Sequence, residues 1–299
     1  MVKGIYKFFI LCLASLAWES AFSQYYYYNN KYYDNDIVFE LGGSIGGMNC
    51  ITDLGGEKSK KHYINEFSIK NNQLSGSIFL GALYQQKVGL RLEATWGNIQ
   101  AYDSILKSAP PSRFKRNLSF RSAIQEISLL AEVHPFMFKY YEDEPPRFSP
   151  YLIGGVGWFS FNPQANLNGI WVDLQPLSTE GQGFPEYKDR LPYKLHQVNI
   201  PLGAGIKYEV SQLLNLRFEF MHRILFTDYL DDASINYINP VLFSKYFSPK
   251  KAADAKALFF RGNYNIKFPG GTRGDPKHND AYFTFNFKVG LSLGRRSIN

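Results

Sequence analysis

The stretch FTDYLDDASINY, Phe226 to Tyr237, sets Asp228, Asp231 and Asp232 within five residues, shortly after His222 and Arg223 and just ahead of Ser234. Carboxylates spaced so closely suit a hard cation, and with His222 and Ser234 they suggest the acid, base and nucleophile of a hydrolase. The pattern D-x-x-D-D departs from a calcium loop, which needs alternate acidic positions, a central Gly and a terminal Glu. Nothing in the spacing of His222, Asp228 and Ser234 separates a triad from scattered polar groups. Short Asp side chains also order loops by accepting backbone N–H bonds. That is the role predicted for Asp228, Asp231 and Asp232, with Arg223 or Arg273 as countercharge. The histidines, His62, His134, His196, His222 and His278, are well separated, with no H-E-x-x-H and no cysteine partner, so neither a zinc site nor another cofactor is expected.

The elements that must carry these residues are strands. Val88, Leu90, Leu92, Ala94 and Trp96 alternate with Gly89, Arg91, Glu93 and Thr95, and the same period of two recurs from Phe283 to Leu293 and from Leu214 to Met221. Eight strands are predicted, at about 37–48, 76–85, 87–98, 122–134, 148–161, 196–210, 213–225 and 281–293. The connections alternate between long (49–75, 99–121, 162–195, 226–280) and short or medium (Gln86, 135–147, 211–212). Periodicity alone fits a soluble sandwich as well, but several long loops are unusual there. Alternating loop lengths favour an all-β, eight-stranded antiparallel up-and-down transmembrane β-barrel with long extracellular loops, termini and tight turns in the periplasm.

Composition fits. The chain of 299 residues is 17% aromatic, with 21 Tyr, 25 Phe and 25 Gly. The opening MVKGIYKFFILCLASLAWESAFSQ has Lys3 and Lys7, an apolar run from Phe8 to Trp18, and small residues Ala21 and Ser23, the layout of a secretory signal cleaved near Ser23. A Tyr-rich periplasmic tail at 24–36 and a barrel from 37 to 299 should follow. The net charge of +7 is no nucleic-acid signature, and Cys50 as the one mature cysteine excludes an intramolecular disulfide. Facing the outward parity, Tyr84, Tyr208 and Trp96 suit aromatic girdles in outer-membrane lipid. The inward parity carries Glu40, Arg91, Glu93, Glu126, Glu132, Lys207, Glu209, Arg217, Glu219 and Lys288. An eight-stranded lumen is only wide enough for side chains, so salt bridges among these residues are expected to plug it. The loop 161–183 has Trp171, Leu174 and Leu177 in its middle and should fold onto its own rim. Residues 238–280 are expected to add a short hairpin.

Five blocks, RNLSFRS (116–122), FSPYLIGGVGWFSFNPQA (148–165), WVDLQPLSTEGQG (171–183), IPLGAGIKY (200–208) and FTDYLDDAS (226–234), resemble the PorG-like outer-membrane β-barrels of the Bacteroidetes. The resemblance implies a non-enzymatic part in type IX protein secretion and, in gliding species, motility. It implies contact with the periplasmic ring of a PorK/GldK-type lipoprotein and its PorN/GldN-type ring partner. The end GRRSIN departs from the aromatic on which such barrels often finish. A periplasmic partner would meet the turn at 134–148, where Phe136, Phe138, Tyr140 and Tyr141 stand beside Glu142, Asp143 and Glu144; the same aromatics also suit the inner girdle. Two rivals remain open at this point, a rim hydrolase or acyltransferase and an adhesin-like barrel.

Overall fold

The computed structural model describes residues 36–54, 71–105, 115–139, 146–211, 213–262 and 268–293. The expected signal and all but Asp36 of the tail lie outside them, as do Tyr140, Tyr141, Glu142, Asp143 and Glu144. Among the described residues ten strands form: β1 (Ile37–Ile51), β2 (Gln73–Tyr84), β3 (Val88–Tyr102), β4 (Ser119–Val133), β5 (Phe148–Ser160), β6 (Gln164–Leu167), β7 (Ile170–Asp173), β8 (His196–Glu209), β9 (Leu214–Leu225) and β10 (Ala281–Leu293). Two helices, α1 (Val241–Tyr246) and α2 (Pro249–Phe259), sit between β9 and β10.

The eight long strands pair antiparallel with their neighbours, and β10 returns to β1 from Phe39↔Leu293 to Ile51↔Ala281, closing the barrel. Closure leaves no free edge, the condition for a sheet to sit in lipid. β6 and β7 form a hairpin that touches the wall of β4 at Arg121↔Gln164. This hairpin comes from the loop after β5. Residues 238–280, expected to supply one, form α1 and α2 instead. Ser248 precedes Pro249 at the first helical position, and Ala252, Ala255, Leu258 and Phe259 fall on one buried face.

Every long strand presents at least three exposed apolar side chains, among them Phe39, Leu80, Leu92, Leu129, Leu152, Leu202, Phe218 and Phe287, while the opposite parity is buried and carries most of the charged and polar side chains. In water each would cost about 1.5–3 kcal/mol. The band would then cost several times the ~5–15 kcal/mol net stability of a folded domain. Its solvent is therefore lipid, and the fold is an outer-membrane type of barrel. Tyr84, Tyr208 and Trp96 point outward, each roughly half exposed.

Three strands run further than the alternation indicates: β1 to Ile51, β3 to Tyr102, and β4 from Ser119. Past Trp96 the pattern inverts. Ile99, Ala101, Phe120, Ile124, Met48 and Cys50 face inward and are buried, while Asn98 and Gln125 are exposed on the outside. The barrel wall thus continues beyond the membrane as a water-facing sheet with an apolar interior. At the other end, Gln85 and Gln86 take φ of 49° and 58° to connect β2 to β3.

Candidate functional site

Two layers fill the barrel: a charged lumen within the membrane and a folded cap at the loop end. In the lumen nearest the tight turns, Lys207 Nζ lies 2.7 Å from Glu40 Oε1 and 3.4 Å from Glu209 Oε1. Arg217 bridges Glu40 and Glu132, the latter at 2.9 Å. Glu132 Oε2 also lies 3.3 Å from His134 Nε2, whose Nδ1 meets Ser149 Oγ at 3.0 Å. One level up, Arg91 reaches Glu219 at 2.5 Å and Glu93 and Glu132 at 3.2 Å, and Lys288 reaches Glu93 at 2.5 Å and Glu219 at 2.9 Å. Nearest the loops, Arg223 holds Glu126 at 3.1 Å, and the Tyr282 hydroxyl donates to the same carboxylate.

All of these charged groups are buried. Six carboxylates (Glu40, Glu93, Glu126, Glu132, Glu209, Glu219) face five cations (Arg91, Lys207, Arg217, Arg223, Lys288), interlocked so that no single residue serves one partner only at the centre. Desolvating such charges is costly, and multiple partners per charge are what offset it. Several contributors were not legible in the sequence, among them Arg223 and Tyr282 beside Glu126, and also Gln86 and Phe79. Gln86, read only as a turn, tucks inward and accepts a bond from Lys207 Nζ at 3.1 Å. Phe79 stands on the polar parity, its ring 5.4–5.6 Å from Arg91, Arg217 and Lys288. The signal was there, since Phe79 interrupts the row Ser77–Gly81, but an isolated apolar residue in a polar row has no single meaning.

The cap brings distant loops onto one apolar core that includes Phe120, Phe159, Phe161, Leu174, Leu177, Leu230, Tyr237, Phe243 and Phe259. Leu174 and Leu177 are buried there. Trp171 instead lies on the outer wall with the Arg121 guanidinium 3.7 Å from its ring centre. At the heart of the cap, Arg273 meets Glu180 and Asp232, both at 3.1 Å. Glu180 also accepts from the backbone N–H groups of Ser234 (2.9 Å) and Ile235 (3.0 Å). Asp232 accepts from Thr179 (2.5 Å) and Tyr193 (2.8 Å). The sequence blocks 171–183 and 226–234 are therefore one structural unit, joined by Arg273. Burial raises Glu180 and Asp232 above the usual carboxylate range, with Arg273 as the main opposing pull. Arg116 clamps Asp103 with two bonds of 2.8 and 2.9 Å and donates to the carbonyls of Asp53 and Arg273.

Asp231 accepts from Leu54 N at 3.0 Å and Ala233 N at 2.9 Å. Of the two suggested countercharges, Arg273 meets Asp232, whereas Arg223 points into the lumen to Glu126. The hydrolase arrangement does not assemble, because His222 lies on the outward parity of β9, half-buried, while Asp228 and Ser234 are inside the cap. Among the described residues no three His, Cys, Asp or Glu side chains are placed to hold a metal ion. At the turn end, Phe136 and Phe138 occupy a single helical turn, 46% and 58% exposed.

A family model described as a domain of unknown function, DUF6089, matches residues 25–254. No curated protein matches the sequence. Similar solved structures include Ail, the attachment invasion locus protein of Yersinia pestis (7% identity, 86% of this chain and 97% of that one, TM-score 0.37). OprG from Pseudomonas aeruginosa (11%, 86% and 95%, TM-score 0.35) and outer membrane protein W of E. coli (12%, 85% and 97%, TM-score 0.33) are others.

Proposed function

From a chain that belongs to the DUF6089 family, defined without an assigned activity, and that folds as a filled membrane barrel, we infer a non-catalytic outer-membrane component of the type IX secretion machinery. The observation that carries this reading is the double filling. A lumen packed with ion pairs beneath an apolar cap offers no path for cargo, so the work falls to the outer surfaces. On this reading the turn end, where β1 begins and β10 ends, faces the periplasm. There Phe136 and Phe138 form an exposed aromatic step suited to a protein partner. The ring lipoprotein of PorK/GldK type and its PorN/GldN-type companion are the partners that the five sequence blocks imply.

Deleting the gene should abolish export of type IX cargo, and pull-down from solubilised envelopes should recover the ring proteins. A photo-crosslinking residue at Phe138 should capture a periplasmic protein in the wild-type envelope. Normal export in the deletion strain, with no periplasmic partner recovered, overturns the reading.

A further inference from the structure

The cap buries more carboxylates than its guanidinium groups hold. Arg116 is bound to Asp103, and Arg273 to Asp232 and Glu180. Asp228, Asp231 and Asp280 are also buried, with Asp53 facing them from the end of β1. These groups stitch together segments far apart in sequence. Leu54 N donates to Asp231 (3.0 Å), Leu230 N to Asp280 (2.8 Å), and Asp275 N to Asp53 (2.5 Å). Asp228 is only 8% exposed, and no well-aligned hydrogen bond reaches either of its oxygens, the Ser234 hydroxyl being the donor beside it. The first long loop, the loop after β9 and the approach to β10 thus meet around carboxylates that all carry the same charge when ionised.

We propose that Asp228, Asp231 and Asp280 form a proton-held clasp that keeps the cap closed while they are protonated and releases it as those protons leave. Among the described residues the surroundings give no other neutralising group of comparable reach. From the β3–β4 loop Arg116 faces Asp231 but is clamped on Asp103; from the third long loop comes Glu180, another acid; from β1 come the Cys50 thiol and, just beyond it, the Thr52 hydroxyl; from the cluster's own loop come Ser234 and the Tyr229 phenol. Burial first, then the neighbouring acids, push Asp228 up to about 9 and Asp231 to about 7, with the Ser234 hydroxyl pulling Asp228 the other way, and burial with Asp231 and Asp228 holds Asp280 well above the carboxylate range.

The sign follows. The closed cap holds protons that an open, hydrated cap surrenders near 3.8, so the clasp's contribution is complete at low pH and declines as pH rises, most steeply for Asp228 up to about 9. A single proton released on opening makes the opening equilibrium rise about tenfold per pH unit.

Amide hydrogen exchange on the full barrel in detergent micelles, corrected for base catalysis, reads this at Leu54, Leu230 and Ala233. Protection at these amides should fall about tenfold or more per unit between pH 7 and 9, while lumen-wall amides such as that of Leu92 stay flat. Asp228→Asn should flatten the cap slope by about tenfold per unit. If that variant does not fold, Asp280→Asn serves with the same expectation. A cap slope of zero in the wild type, or one left unchanged by the substitution, overturns the proposal. So does restoration of protection at pH 8.5 by millimolar calcium and its loss with EDTA, since a cation would then be the neutralising partner.

Discussion

Arg273 joins two buried carboxylates from different loops and also donates to the Asp232 carbonyl. Asp232 itself takes a left-handed φ of 67°, which lets its carboxylate turn back toward Thr179 and Tyr193. Removing the guanidinium leaves Glu180 and Asp232 facing each other without a cation. Arg273→Ala should therefore cost about 3–5 kcal/mol, the usual loss when one side of a buried ion pair is deleted. Arg273→Lys should recover only part of this, because one ammonium cannot address two carboxylates in the plane of a fork. Denaturant unfolding of the refolded protein, followed by the signal of the cap tyrosines Tyr193 and Tyr237, measures both variants. An Ala variant as stable as wild type would show that the cap does not depend on this bridge. Asp228 and Asp231 behave differently at the same scale, as carboxylates without a fork to hold them, which is why charge there is set by protons.

At the scale of elements, the strands inside the membrane were legible because lipid and lumen impose opposite polarity on successive residues. In β10, Phe283 to Leu293 leaves no second interpretation of which row faces out. The same rule explains the strand ends that were not legible. Beyond Trp96 the outside is water and the inside is the cap core, so Ile99 and Ala101 take the parity that Arg91 and Glu93 had below. An alternation that reverses sign at the membrane boundary reads as an interruption and so as the end of the strand. The helix α2 was hidden for another reason. Half of its buried face is Ala252 and Ala255, whose apolar signal is weak, and Leu258 and Phe259 are adjacent at its very end, although Ser248 and Pro249 mark its start. The pairing of Glu180 with Arg273 spans 93 residues and left no local trace. The β2–β3 turn shows what strain remains at this scale. Gln85 is exposed and sits at φ 49° without a branched or apolar reason to do so. Gln85→Gly should remove about 1 kcal/mol of left-handed backbone cost and raise stability by that order, as the same denaturant titration would show. Gln86→Gly should gain less or lose, since it also deletes the acceptor for Lys207.

At the scale of the whole molecule the two fillings are seals in series, and they are built from different physics. The lumen is closed by charge: Arg91, Lys288, Glu93 and Glu219 cross its centre with contacts of 2.5–3.2 Å, around the ring of Phe79. The cap is closed by apolar packing that depends on sequence segments from all four long loops. A barrel meant to conduct needs neither, and a barrel serving as a rigid post benefits from both, because interlocked charges and a packed cap each resist deformation of the wall. In planar bilayers the wild-type protein should show no unitary conductance steps at neutral pH. Arg91→Ala, Glu93→Ala, Glu219→Ala and Lys288→Ala together remove two cations and two anions, so they open the lumen without stranding a net charge. That variant should still be silent, because the cap remains. Adding Arg273→Ala, which unties the cap, should produce small steps in the combined variant, whereas Arg273→Ala alone should not. Steps from the fourfold variant by itself would locate the whole barrier in the lumen, and steps from Arg273→Ala alone would locate it in the cap.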